Sequence, residues 1–354
     1  MATYTQTLAA LRGDLARIEG KLDKVLTPSA PAPQSPAPPL AIPPDLPPVT
    51  NTTSGAIIIG SNYTRARAGA AALWPAIVRT PSDLVASRLV LPLNRSFALR
   101  PNSYPTYATR PFAWGEVGLS ADMGSTGERQ EIGLVTDAIA NWLTGGSANN
   151  MLAQAEAHGS VPVHFRHKNG VPSTDGTGEM VDLLDDPRMK WASCYDDRQA
   201  ANANPWFNMS GAKIRPNLAH YPNLNYVPYL ATGDLYYLQE LQDAAIYALI
   251  WGGPEYRKFE QALIQNDETR GYAWALNLIA SAYLATKEAE KQGPLPAPLL
   301  PSSYWKRILD NNRAEFERRW VKNGDDKPII AGCHFGVSLR EGDFRPWQHD
   351  YLGF

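Results

Sequence analysis

The chain has 354 residues, 44% hydrophobic and 19% charged, a composition ordinary for a globular protein and a length that allows two or more domains. The formal net charge is −2 and Lys and Arg are scattered, which argues against nucleic acid or an anionic membrane as partner. Two cysteines, Cys194 and Cys333, cannot build a disulfide framework and read as buried thiols.

Residues 1–27 carry the clearest local pattern. Leu8, Leu11, Leu15, Ile18, Leu22 and Val25 are spaced 3, 4, 3, 4, 3, the a/d seam of a heptad repeat. A helix this short is marginal alone in water and wants a partner. Asp14 falls at g and Glu19 at the next e, where like charges repel in a parallel homomeric coil. Docking on a different protein and self-association therefore both stay open. Asp14, Arg17, Glu19 and Lys21 interrupt any signal-peptide apolar core, so cytoplasmic synthesis is expected. No apolar run approaches the roughly 20 residues that cross a bilayer, and no membrane partner is expected.

Residues 28–50 form a linker. The stretch Pro28–Pro48 reads PSAPAPQSPAPPLAIPPDLPP, in which ten of 21 residues are proline. Such a sequence forms neither helix nor sheet and extends as a polyproline-II spacer. At about 3.1 Å per residue it reaches roughly 65 Å. An anchor helix, a spacer and a working domain account for both segments together.

Residues 51–120 read as a small β-rich lead-in, with strands at Ala56–Ile59 and Leu89–Leu93 punctuated by Pro, Asn and Gly. Residues 121–354 read as helical hairpins. Helices are expected over Ile132–Leu143, Asn149–Ala157, Tyr226–Ala231, Leu235–Trp251 and Thr269–Ala285, with another opening at Ser302. The turns repeat a Leu-(x)-Thr-Gly pattern, at Thr144-Gly145-Gly146 and Thr232-Gly233-Asp234. Glycine there stops a helix in the left-handed conformation, and Ser147 or Asp234 can cap the next. Repeated hairpins with short turns predict a mainly α fold, an (α/α) toroid with fewer hairpins than a closed ring.

Five stretches resemble an uncharacterised bacterial and phage-associated family. They are Met123-Gly-Ser-Thr-Gly-Glu-Arg-Gln-Glu-Ile-Gly133 with Trp142-Leu-Thr-Gly145, then Ala157-His-Gly-Ser-Val-Pro-Val-His-Phe-Arg166, His220 to Asp234, Asp267 to Leu276, and Trp347-Gln-His-Asp-Tyr351. The resemblance covers residues 110–354 and implies a toroid of the six-hairpin glycosidase-like kind. It implies a polysaccharide or other glycan as ligand, and it carries no settled activity. Where the family pattern has Arg-Pro-Asp-Ile-Gly, this chain has Arg129-Gln130-Glu131-Ile132-Gly133, which lengthens the acid by a methylene.

Glycoside hydrolysis needs two carboxyl groups, and polysaccharide elimination needs a base and a cation for the uronate. Candidate catalytic residues are Glu128, Glu131, His220, Asp267, His349 and Asp350, and candidate substrate-binding residues are Arg129, His164, Arg166, Tyr221, Arg270, Trp347 and Tyr351. Each has a plainer reading. Glu128 and Glu131 suit a helix first turn. Alternation over Val161–Arg166 predicts a short strand with His164 and Arg166 on one face, but no third ligand lies nearby for a metal, and a hydrogen-bonded structural histidine fits as well. Tyr226, Tyr229, Tyr236 and Tyr237 could be a sugar platform or core residues. Asp267 can cap a helix while Arg270 pairs with an acid, and Trp347 to Tyr351 can be a terminal hydrogen-bond cluster. No phosphate loop, dinucleotide fingerprint or zinc spacing is present, so no cofactor is expected.

Two functions follow as expectations. One is a carbohydrate-engaging module on a larger assembly, which as an enzyme would be a glycoside hydrolase or polysaccharide lyase. The other is a non-catalytic structural virion component, a phage tail-fibre or baseplate appendage anchored by its first helix.

Overall fold

A computed structural model describes residues 79–87, 89–90, 117–120, 135–146, 148–161, 163–168, 171–172, 178–184, 187, 216–264 and 269–318. The described part is mainly helical with almost no strand. In chain order it contains α1 (Pro81–Ala86), α2 (Asp137–Leu143), α3 (Asn149–Ala157), β1 (Arg166–Lys168), β2 (Val171–Pro172), β3 (Glu179–Met180), α4 (Tyr226–Thr232), α5 (Leu235–Ile250), α6 (Thr269–Glu290) and α7 (Ser302–Phe316). Short 3₁₀ turns sit at His158–Ser160, Leu218–His220 and Phe259–Gln261. Among the described residues no helix is long and apolar enough to cross a membrane.

Local chemistry sets the helix ends. Thr80 and Asp83 close a capping box on α1, with Pro81 in the first turn. The Thr136 hydroxyl accepts from Ile139 N at the start of α2. At the α4–α5 turn, Gly233 has φ 68 and its N–H bonds the Tyr229 carbonyl at 2.7 Å. The next residue, Asp234, accepts from Tyr236 N at 2.9 Å and caps α5. The expected glycine stop and aspartate start are thus both present. Ser147 lies outside the described residues.

Helix α5 is the axis of the core. All its residues except Leu235 and Gln239 are buried, and it packs against α4 and α6. Helix α6 in turn packs against α7, α4 and the Leu218–His220 turn. Buried amides tie the layers. Gln242 donates to the Thr286 hydroxyl at 2.7 Å and to the Leu300 carbonyl at 3.0 Å, and accepts from Leu300 N at 2.9 Å. Asn312 of α7 accepts from Ile264 N at 2.7 Å. Glu290, at the end of α6, accepts from Ser302 N at 2.8 Å and so starts α7, which has no cap from its own N-cap residue.

Three differences from the sequence expectations have physical reasons. The described part of the lead-in holds α1, because Thr80-Pro81 with Asp83 is a helix start; Leu91–Leu93 of the second expected strand lie outside the described residues. Helix α2 begins at Asp137 rather than Ile132, since Thr136 supplies the cap. The expected 161–166 strand is displaced: residues 163–165 lie outside any ladder, and β1 begins at Arg166, in an antiparallel sheet of order β2-β1-β3. The heptad segment, the linker and the Ala56–Ile59 strand lie outside the described residues.

Replacing Gly233 with Ala should lower stability by about 1 kcal/mol, because a Cβ at positive φ is strained although nothing lies within 4 Å of it. Gly233→Asn should cost less. Urea unfolding of the two variants against the parent chain measures this, and equal midpoints for all three would contradict the assigned turn.

Candidate functional site

The site assembles around one face of α5. Glu240 and Asp243 are three positions apart, so both point to the same side of the helix. Neither has access to water, at 2% and 0% exposure. A buried carboxylate is tolerated only when hydrogen-bonded or paired, and both acids are.

Their partners come from the segment that follows α3. His158, in the 3₁₀ turn, places Nδ1 2.7 Å from Glu240 Oε2. His164 places Nε2 2.8 Å from the same oxygen. Arg166 grips Asp243 with both terminal nitrogens, NH2 to Oδ2 at 2.8 Å and NH1 to Oδ1, and NH1 also donates to the Phe165 carbonyl at 2.9 Å. This two-point geometry is the strong form of the carboxylate–guanidinium pair. On the far side of His158, its Nε2 lies 2.8 Å from the Tyr221 hydroxyl. The Tyr221 ring packs edge-on to His158 and tilts against Tyr247 of α5, with centroids 4.9 Å apart in the latter pair. A continuous chain therefore runs Tyr221, His158, Glu240, His164, with Arg166–Asp243 beside it.

The electrostatics follow from burial and charge acting against each other. Burial pushes the Glu240 carboxyl up, but the His164 charge and hydrogen bonds from both histidines outweigh it and hold the acid far below its ordinary value. For His164, burial pushes down, while the charge and hydrogen bond of Glu240, joined by Asp243, raise it above an ordinary imidazole. Arg166 is raised in the same way by Asp243 against its burial. The Tyr221 phenol lies well above its ordinary value, through burial first and then through Tyr247, Glu240 and Asp243. His164 Nδ1 is buried and meets no hydrogen-bond partner among the described residues.

Of the residues singled out in the sequence, His164, Arg166 and Tyr221 meet here. His220, next to Tyr221, does not join: its Nδ1 lies 2.9 Å from Asn217 Oδ1. Arg270 is buried in the first turn of α6. Tyr226, Tyr229, Tyr236 and Tyr237 are core residues, each no more than 9% exposed, which removes the sugar-platform reading. Glu128, Arg129, Glu131, Asp267, Trp347, His349, Asp350 and Tyr351 lie outside the described residues. The sequence reading missed His158, Glu240 and Asp243. It also found no third ligand near His164, whereas the fold brings two, His158 and Glu240, with ligand atoms of all three within 4.8 Å of one another. No pattern within the helix marked these acids, because positions 240 and 243 fall opposite its apolar face.

No protein family, no curated protein and no solved structure matches the chain.

Arg166→Met leaves Asp243 as an uncompensated buried charge and should cost about 3–5 kcal/mol. The double variant Arg166→Met/Asp243→Leu should recover most of that loss, because it removes both charges together. Urea unfolding of the single and double variants decides it, and equal losses in the two would mean that charge pairing is not what the site needs.

Proposed function

We propose that the helical hairpins form an (α/α) toroid that binds or cleaves a carbohydrate, carried on a larger assembly by the Leu8–Val25 helix and the proline-rich spacer. The observation that supports this most is the convergence of His158, His164 and Arg166 on Glu240 and Asp243, with Tyr221 bonded to His158, from three separate stretches of chain. Apolar side chains of similar volume would hold these segments at least as firmly, so a buried polar centre of this size is not explained by stability alone. Groups with displaced proton affinities cluster at functional sites.

Either cleavage chemistry requires a member of the cluster to leave its present partner. Hydrolysis by two carboxyls needs one held as an acid and one as a free base or nucleophile, and here Asp243 is committed to Arg166 and Glu240 to two imidazoles. Elimination needs a base of the imidazole or phenol type and positive charge near a uronate carboxylate; the cluster contains these groups, with the imidazoles paired to Glu240 and the guanidinium to Asp243. His164, at 6% exposure, is the member with the most residual access.

A second reading has its own observation. Asp243 and Arg166 are 0% and 1% exposed, which suits a sealed structural network in a non-catalytic virion appendage. The two readings differ in what they bind. Incubating the full chain with a panel of bacterial surface glycans, uronate-containing ones included, should give binding by calorimetry or new ultraviolet absorbance from unsaturated ends. His164→Ala should lower any cleavage rate by about 10²–10⁴. A chain that neither binds nor cleaves any glycan, but co-sediments with particles, belongs to the second reading.

The tether predicts a further result. If the first helix self-associates, light scattering should give an oligomer for the full chain and a monomer for a chain starting at Thr50. Monomers in both cases mean that the helix docks on a different protein.

A further inference from the structure

We propose that His158, His164 and Glu240 form a binding site for a divalent transition cation of the zinc type, with Tyr221 and the Arg166–Asp243 pair as its supporting shell. The proposal rests on the cluster's geometry alone and stands whether or not the glycan reading does.

The donor set is two imidazole nitrogens and one carboxylate oxygen, all buried and all within 4.8 Å of one another. Two histidines and a glutamate are a common ligand set for zinc at sites that leave a fourth position open to water or substrate. Borderline imidazole donors also select zinc and its neighbours over magnesium or calcium, which take oxygen ligands. His158 has the outer partner that a ligating histidine needs: with Nδ1 on the ion, its Nε2–H donates to the Tyr221 hydroxyl at 2.8 Å. The rings of His158 and His164 stand nearly edge to face at 70°, so their nitrogens approach the carboxylate from different directions.

To close on an ion, the two nitrogen–oxygen separations must lengthen and the nitrogen–nitrogen separation, at most 4.8 Å, must approach the tetrahedral value. Ligands about 2.0–2.2 Å from zinc in tetrahedral geometry stand about 3.3 Å from each other. The present nitrogen–oxygen separations are 2.7 and 2.8 Å, so the rings must draw back by about half an ångström. His164 can do so, since residues 163–165 belong to no helix or strand and its other nitrogen has no hydrogen-bond partner among the described residues.

The test uses the full chain, stripped with a chelator and then titrated with Zn²⁺ by calorimetry, with bound metal counted by plasma mass spectrometry. One equivalent should bind. Co²⁺ in its place should give the intense visible absorption of a four- or five-coordinate ion. Tyr221→Phe keeps all three ligands and should weaken binding by about 10- to 100-fold. His164→Ala should abolish the single equivalent, whereas His220→Ala, whose ring is engaged by Asn217, should leave it intact. Absence of binding by the parent chain overturns the proposal even if the His164 variant fails to fold. Retention of one equivalent in a folded His164→Ala chain overturns it as well, since the metal would then sit elsewhere. Because no glycan is present in these measurements, their failure and that of the carbohydrate reading are separate results.

Discussion

The described structure depends on a helix buried along all but Leu235 and Gln239. Helix α5 is enclosed by α4, α6 and the segment after α3, yet it carries Glu240, Gln242 and Asp243 among its apolar residues. Each buried polar group costs several kcal/mol unless it is matched, and an unmatched charge costs far more. The rest of the core is arranged around that requirement. Gln242 is answered by Thr286 and Leu300, which fixes α5 against α6 and the loop to α7. Glu240 and Asp243 are answered by His158, His164 and Arg166, which fixes the 158–166 segment across the same helix.

This explains why the fold was more legible in the sequence than the site. Helix ends are written locally. Thr232-Gly233-Asp234 contains its own stop and start, because a left-handed glycine and a side-chain cap involve only neighbouring residues. The site is written non-locally. In Leu235–Ile250, the spacing of Leu238, Leu241, Ala245 and Leu249 marks one apolar face, and by periodicity alone Glu240 and Asp243 belong to a solvated one. What buries that face is chain 77 residues earlier, at Arg166. A pattern within the helix cannot show it.

His164 and Arg166 were recognisable as a pair because they are two positions apart in a stretch that reads as extended. The strand itself was misplaced: the ladder starts at Arg166, and His164 sits just before it. The pairing does not depend on ladder hydrogen bonds, since His164 reaches Glu240 and Arg166 reaches Asp243 through their side chains. His158 was harder to see, as it lies at a helix end where a histidine has many plain uses. Only the position of Glu240 distinguishes it, by drawing His158 and His164 to one oxygen.

The spacings also show why the cluster is specific. On α5, three residues advance about 4.5 Å along the axis and bring Glu240 and Asp243 to the same side. In extended chain, two residues advance about 6.6 Å and return to the same side. Two side chains two apart on the segment can therefore meet two side chains three apart on the helix, one to one. A shift of the segment by one residue would present Phe165 to the helix in place of His164 or Arg166 and leave a buried carboxylate bare. The register between segment and helix is thus fixed by charge rather than by shape. His158 adds a second partner to Glu240 beside His164, and Tyr221 in turn holds His158 by its far nitrogen.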